Sequence, residues 1–362
     1  MRIVLVANPG GRAVTDAAIE ATFARWSARH QVTLVRSGRS SSVPPRKLVA
    51  PAQPSAQDQP DQPDQADWLG LALAGAEAVV VLGGDGILNQ VANLLADARS
   101  DAALVPLPAG TTNVVARSLG LPTRLADASA AALAGLEAGQ TARRAWGRLN
   151  GRGFLANAGI GFDAAVVTRT EAHHDYKQRW GHAWFAAAAL LELRGTMRTA
   201  HLSLDEAPER ESDPESKLDP GGPAETDFWI VALASHPYTY VGPRPMVLVP
   251  PSCRPASGLC VVRFEPMPTR RLVRVAAQAT FTSRGVVGLQ GVHYLPVVGA
   301  LRFTSPVPLP AQTDGEPLPP ARAFTLEAEP AAVRLLAPLQ HVGVLGRHRV
   351  GRRARYLGSR GR

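Results

Sequence analysis

The sequence predicts an α/β half followed by a mostly antiparallel β half, and three observations carry that reading. Strand-like and helix-like patterns alternate from residue 2 to residue 139. From about residue 142, short strand candidates punctuated by glycine and proline take over. The 362 residues suffice for two cores, and 45% apolar content argues against a disordered chain.

In order along the chain, residues 2–7 are rich in Ile, Val and Leu without alternation, which suits a strand buried on both faces. Residues 15–29 read as a helix that Thr15 or Asp16 can cap, with Ile19, Phe23 and Trp26 on one side. A second strand, 31–37, completes a β-α-β opening. Residues 38–67 are rich in Pro, Gln, Ser and Asp and read as a flexible insertion. A helix from Trp68 to about Ala76 and a strand over 78–82 follow, then a helix to about Ala98. A strand and loop over 102–110, a helix opening at "TTNVVARSLG" and a helix over 125–139, with Gly139 as its C-cap, complete a doubly wound parallel sheet. The strand candidates of the second half are 143–149, 153–157, 199–204, 227–235, 246–249, 259–265, 300–304 and 324–328. A helical insert, 177–197, and a polar loop, 205–227, interrupt them, and 270–281 is compatible with helix or strand. The expected division is 1–141, 142–335, and a return segment with basic tail, 336–362.

The net charge of +9 is largely a property of the tail: residues 347–362 hold seven arginines and no acid, which leaves +2 elsewhere. Cys253 and Cys260 imply no disulfide framework, and reduced thiols fit best. The N-terminus lacks a signal-peptide pattern, and no stretch reaches the ~20 apolar residues of a membrane span. A cytoplasmic location is the expectation.

Five segments can carry chemistry. In "GGDG" (83–86), glycines leaving a buried strand let backbone amides approach phosphate oxygens, and the helix that follows favours anions. Asp85 among them makes sense if a divalent cation lies between acid and phosphate, or if Asp85 accepts a proton from an attacking hydroxyl. "NPGG" (8–11) follows the first strand, and "PLPAGTTNVVARSLGLP" (106–122) offers Gly110, Thr111, Thr112 and Asn113 before a helix. "NAGIGFDAAVV" (157–167) places Asp163 after a strand of the second half, and "QTDGEPL" (312–318) joins a hairpin signal, Asp314-Gly315, to Glu316. Each alone is also readable as a plain turn or helix cap. The weight lies in the conjunction of three such loops at one edge of one sheet.

These five pieces, in this order, resemble the lipid kinase superfamily of diacylglycerol kinases and sphingosine kinases, in its bacterial soluble branch. The resemblance spans residues 3 to about 335, and "GGDG" with "GTTN-x-x-AR-x-LGLP" is its specific part. It implies an N-terminal sheet of the NAD kinase/phosphofructokinase-like kind and a C-terminal β-sandwich. It implies ATP and Mg²⁺, with Asn8, Gly10 and Gly11 touching nucleotide phosphates, and Gly83, Gly84, Asp85 and Gly86 forming the nucleotide loop. Asp85 would lie near the metal, and Gly110, Thr111, Thr112 and Asn113 would complete the cradle. Asp163 would meet the lipid hydroxyl, and Glu316 would be the general base, with Asp85 second.

The implied reaction moves the γ-phosphoryl group of ATP to a lipid hydroxyl, diacylglycerol giving phosphatidic acid. Rival readings are a nucleotide- or lipid-binding protein of the same fold with weakened catalysis, or a kinase for a sphingoid base or NAD. Implied partners are a nucleoside triphosphate, a lipid alcohol and, through the basic tail, the inner membrane face. No specific nucleic acid is expected, and a homodimer is compatible. The chain departs from the family pattern where Ile87 replaces a threonine, Gln90 a glutamate, Val114 an aspartate and Gly11 a serine. Ala256 and Ser257 stand where carboxylates help hold an accessory structural Mg²⁺ in the family.

Overall fold

The computed structural model describes residues 1–9, 14–36, 70, 73–172, 187–189, 191–192, 201–206, 227–235, 237–249, 258–286, 288–297 and 299–337. Strands β1 (Arg2–Ala7), β2 (Gln31–Arg36), β3 (Ala78–Gly83) and β4 (Ala103–Pro108) form a parallel sheet in the order β4-β3-β1-β2. β3 and β4 are buried along their whole length, which explains their unbroken apolar runs.

Helix α1 (Asp16–Ser27) starts where Thr15 Oγ1 accepts the Ala18 N–H at 3.1 Å. It buries Ile19 and Trp26, and the Trp26 indole N–H donates to Ser129 Oγ at 3.0 Å, joining α1 to α4 (Leu125–Glu137). Burial of side chains of this size contributes about 1.5–3 kcal/mol each. Between them lie α2 (Asp85–Asp97) and the short α3 (Val114–Ser118). Gly139 has φ +70° at the end of α4, as its reading as a C-cap requires.

The second half is an antiparallel β unit with its own apolar core. Its strands are β5 (Thr141–Leu149), β6 (Arg152–Phe154), β7 (Asn157–Gly161), β8 (Ser203–Glu206), β9 (Trp229–Leu233), β12 (Leu259–Phe264) and β13 (Val292–Val297), a small hairpin of β10 (Thr239–Val241) and β11 (Arg244–Met246), and the long pair β14 (Ala300–Thr313) and β15 (Glu316–Leu336). Along the sheet the order is β13-β12-β9-β7-β14-β15, with β5 on the far side of β15. β5 also approaches β7 and β12. β15 continues past this core and pairs in parallel with β4 at Leu335 and Leu104, carrying Val333, Leu335 and Leu336 into the N-terminal core.

Several local expectations are corrected. β14 and β15 far exceed the strands expected at 300–304 and 324–328. Pro306, Pro308 and Pro310 fall inside the two register shifts of the ladder, so residues without an N–H cost no paired hydrogen bond. Residues 269–281, compatible from sequence with helix or strand, are a helix, α6, and a further helix, α5 (Phe162–Ala172), follows β7. The strand expected at 153–157 is split between β6 and β7, and β13 was not foreseen. The expectation of a reduced thiol fails at Cys260, which is disulfide-bonded. Gly10, Gly11, Cys253, Ala256, Ser257, the insertion 38–67 and nearly all of the helical insert, the polar loop and the tail lie outside the described residues. Among the described residues no helix is long and apolar enough to cross a membrane.

Candidate active site

Three strand-to-helix connections meet at one edge of the parallel sheet. β3 ends at Gly83, and Gly84, with φ −93° and ψ −176°, leads into α2. A Cβ placed on Gly110 would stand 2.5 Å from Gly84 Cα, so the "GGDG" and "GTTN" loops run backbone against backbone. The Ala109 N–H donates to the Gly83 carbonyl at 3.0 Å. On the other side the Asn8 N–H donates to the Leu82 carbonyl at 3.1 Å, and Asn8 Cβ lies 3.7 Å from where a Gly83 Cβ would be. Ile87 packs over Gly83 and is buried. The structure thus brings together Asn8, Gly83, Gly84, Asp85, Gly86, Gly110 and Asn113.

Asn113 holds its loop shut. Its φ of +51° and ψ of +51° are left-handed, a conformation that asparagine tolerates better than most residues. Its Oδ1 accepts the Gly110 N–H at 2.8 Å and its Nδ2 donates to the Gly110 carbonyl at 2.9 Å. Thr111 is exposed and Thr112 half-buried on the same loop.

Asp85 reaches across to that loop. Its carboxylate accepts the Val114 N–H at 2.9 Å and the Val115 N–H at 3.2 Å, so it caps α3 from the neighbouring connection. Desolvation raises its pKa to about 6, against the pull of those amides and with repulsion from Asp314 adding to the rise.

Glu316 is brought to the same place by the β14–β15 hairpin. Asp314 and Gly315 have φ of +49° and +85°, as a tight two-residue turn requires. The Asp314 carboxylate accepts four N–H groups: Leu155 at 2.7 Å, Ala156 at 2.8 Å, Asn157 at 2.9 Å and Asn89 Nδ2 at 2.7 Å. It therefore ties the hairpin both to the β6–β7 connection and to α2. Burial raises the Asp314 pKa above the ordinary carboxylate value. Held this way, Glu316 Oε1 lies 2.5 Å from where a Cβ on Gly86 would stand, over the first turn of α2, and the side chain is exposed.

Asp163 sits in the first turn of α5 and is only 5% exposed. Its Oδ2 accepts from Gln312 Nε2 at 3.0 Å and from the Tyr238 hydroxyl at 3.3 Å. Burial raises its pKa to about 6, opposed by those hydrogen bonds. Gln312 also donates to Asn157 Oδ1 at 2.9 Å and accepts the Gly315 N–H at 2.8 Å, which links Asp163 to the hairpin turn. Asp163 is thus tied through Gln312 to Gly315, the residue before Glu316.

Sequence reasoning assigned no role to Asn89, Gln312, Tyr238 or Arg117, and gave Asp314 only that of a hairpin turn. Asn89 stands one helical turn after Asp85, a spacing that could have flagged it. Arg117 lies within the quoted "AR" of the third loop. Its guanidinium lies 3.5 Å over the Tyr240 ring and donates to the Gly242 carbonyl at 2.9 Å, bridging α3 to the β10–β11 hairpin.

Residues 48–143 match the family model described as "Diacylglycerol kinase catalytic domain". Among individual proteins, the chain is 42% identical over 118 residues to the "Probable lipid kinase YegS-like" of Pseudomonas aeruginosa, 32% of this chain and 36% of that one. A protein of the same name from Pseudomonas fluorescens is 32% identical over 184 residues, 47% of this chain and 58% of that one. The chain thus spans about a third to somewhat over half of the length of the curated relatives it matches. A crystal structure titled as diacylglycerol kinases from Bacillus anthracis str. Sterne superposes with a TM-score of 0.59 at 14% identity, covering 93% of this chain and 96% of that one, which fixes the fold.

Proposed function

We propose that this chain transfers the γ-phosphoryl group of ATP to a lipid hydroxyl, with diacylglycerol as the first acceptor to test. The observation that supports it above all is the seating of the Glu316 carboxylate against Gly86. An exposed acid there stands beside a pair of backbone loops whose contact leaves no room for a Cβ. Phosphate oxygens need that closeness of amides, so the loops suit a triphosphate.

In this reading Gly84, Gly86 and Gly110 cradle the phosphates, and Asn113 and Asp85 keep the cradle rigid. The acceptor hydroxyl gives its proton to Glu316 as its oxygen attacks the γ-phosphorus, and the β–γ bridging oxygen leaves with ADP. Each Asp85 oxygen is engaged by an amide, so Glu316 is the better placed proton acceptor. Among the described residues no group of three or more His, Cys, Asp or Glu is placed to hold a metal. Asp85 is the carboxylate that would be offered to Mg²⁺, which would supply neutralisation of the phosphate charge. Asp163, with Gln312 and Tyr238, would orient the acceptor side of the cleft.

The second reading, a nucleotide- or lipid-binding protein with weakened catalysis, is favoured by the apolar, buried Ile87 and Val114 beside the loops. Labelled ATP with Mg²⁺ and a panel of diacylglycerol, a sphingoid base and NAD separates the two. Label on a lipid supports the kinase. ATP binding with no labelled acceptor supports the binding protein, and label on NAD alone overturns the lipid assignment.

A further inference from the structure

Helix α6 (Thr269–Phe281) has two unlike faces. Leu272, Val275 and Ala279 are buried, while Arg270, Val273, Arg274, Ala277 and Phe281 are exposed at spacings that align them in one stripe. Val273 is 62% exposed and Phe281 69%, large values for apolar side chains. The helix carries three arginines and no acid. Among the described residues, no carboxylate pairs with Arg270, Arg271 or Arg274.

The stripe continues onto the β10–β11 hairpin. The Val247 N–H donates to the Ala279 carbonyl at 2.7 Å, and the Arg244 guanidinium lies 5.3 Å from the Phe281 ring centre. Val241 on that hairpin is 44% exposed, and its neighbours Tyr240 and Gly242 are the residues that Arg117 grips. A basic, apolar surface therefore runs from α6 to the third nucleotide loop.

We propose that this surface, with Val273, Phe281 and Val241 set among Arg270, Arg274 and Arg244, docks the protein on an anionic lipid bilayer. Exposed apolar groups flanked by unpaired cations suit the boundary between acyl chains and anionic headgroups. A second copy of the chain is the poorer occupant, since a self-complementary contact would set arginine against arginine. The purpose of the docking, delivery of the acceptor to the cleft, rests on the lipid kinase reading; the docking itself does not.

The test is co-sedimentation of the full chain with phosphatidylcholine vesicles, with and without phosphatidylglycerol. The seven tail arginines are replaced by glutamine in every sample, so that the tail contributes no charge. Binding to anionic vesicles only is expected. Arg270→Glu with Arg274→Glu should lower partitioning at low salt at least ~10-fold. Val273→Ser with Phe281→Ser should weaken binding at high salt as well, where screening has removed the charge contribution. Equal binding by both double variants and the parent would overturn the proposal. So would a parent dimer that Phe281→Ser dissociates in the absence of vesicles, since the face would then belong to a second copy. Transfer to a short-chain, water-dispersed diacylglycerol should be unchanged in these variants, because α6 lies outside the site. A parent that binds vesicles but phosphorylates no acceptor defeats the kinase reading and leaves the docking standing.

Discussion

Glu316 and Gly86 are 230 residues apart in the chain, yet the Glu316 Oε1 stands 2.5 Å from the position a Gly86 Cβ would take. An acid from the second half thus rests on the first turn of α2, the helix that follows the "GGDG" turn. Glu316→Gln keeps the shape and removes the proton acceptor. Turnover should fall at least ~100-fold while ATP binding, followed by fluorescence of a nucleotide analogue, and the melting temperature stay near wild type.

Gly86→Ala tests the same contact from the other side. The new methyl group must push the Glu316 carboxylate away, and misplacement of a reacting group by about 1 Å can cost ~100-fold. Steady-state kinetics should show the loss in kcat. Gly110→Ala instead forces the two loops apart, and its loss should appear in ATP affinity, ~10-fold or about 1.4 kcal/mol by calorimetry.

Asp85 has a pKa of about 6 and caps α3 as a carboxylate. Its protonation weakens that cap, so the rate should fall roughly tenfold per pH unit below about 6 if the cradle depends on it. Asp85→Asn retains an acceptor oxygen and cannot titrate. A pH–rate profile that keeps the same acid limb in this variant would assign the limb to another group.

Asp163 gives a stability test. Its folded pKa, about 6, exceeds the ordinary 3.8, so the folded state holds a proton that the unfolded chain has released. The stability this lends is fully present below about 3.8 and is lost as pH rises through about 6. Asp163→Asn should therefore melt higher than wild type at pH 8, with the difference shrinking towards pH 4 in a series of thermal melts.

Asp314→Ala leaves four N–H donors without their acceptor. Denaturant unfolding should show a loss of at least ~3 kcal/mol, larger than for an exposed turn residue. Asp314→Asn, which keeps some of the acceptors, should lose less.

The parallel sheet was legible because β1, β3 and β4 are buried on both faces, and burial of that kind writes itself as unbroken apolar runs. The three loops were legible because glycine at a strand end has few other uses. The hairpin that delivers Glu316 was visible only at its Asp314-Gly315 turn. Its strands were hidden by proline, whose missing N–H argues against a ladder unless the register is known to shift where proline falls. The wiring of the site was hidden for a different reason. Asn89, Gln312 and Asp314 act through partners that are remote in sequence, such as Gly153 and Asn157, and although its spacing from Asp85 could flag Asn89, no local pattern names the remote polar groups these side chains pair with. Asp85 as a cap for α3 was missed likewise, since capping is ordinarily sought within the same turn.

β15 spans 21 residues, with Glu316 at one end and Leu335 paired to Leu104 at the other. The ribosome makes Leu104 long before it makes Leu335, so β4 must wait with one edge open until β15 emerges. The proposed base is laid down in that same late stretch. A nascent chain halted before residue 316 would hold its glycine loops without the acid that faces them, so the open edge of β4 is covered only after Glu316 has been made.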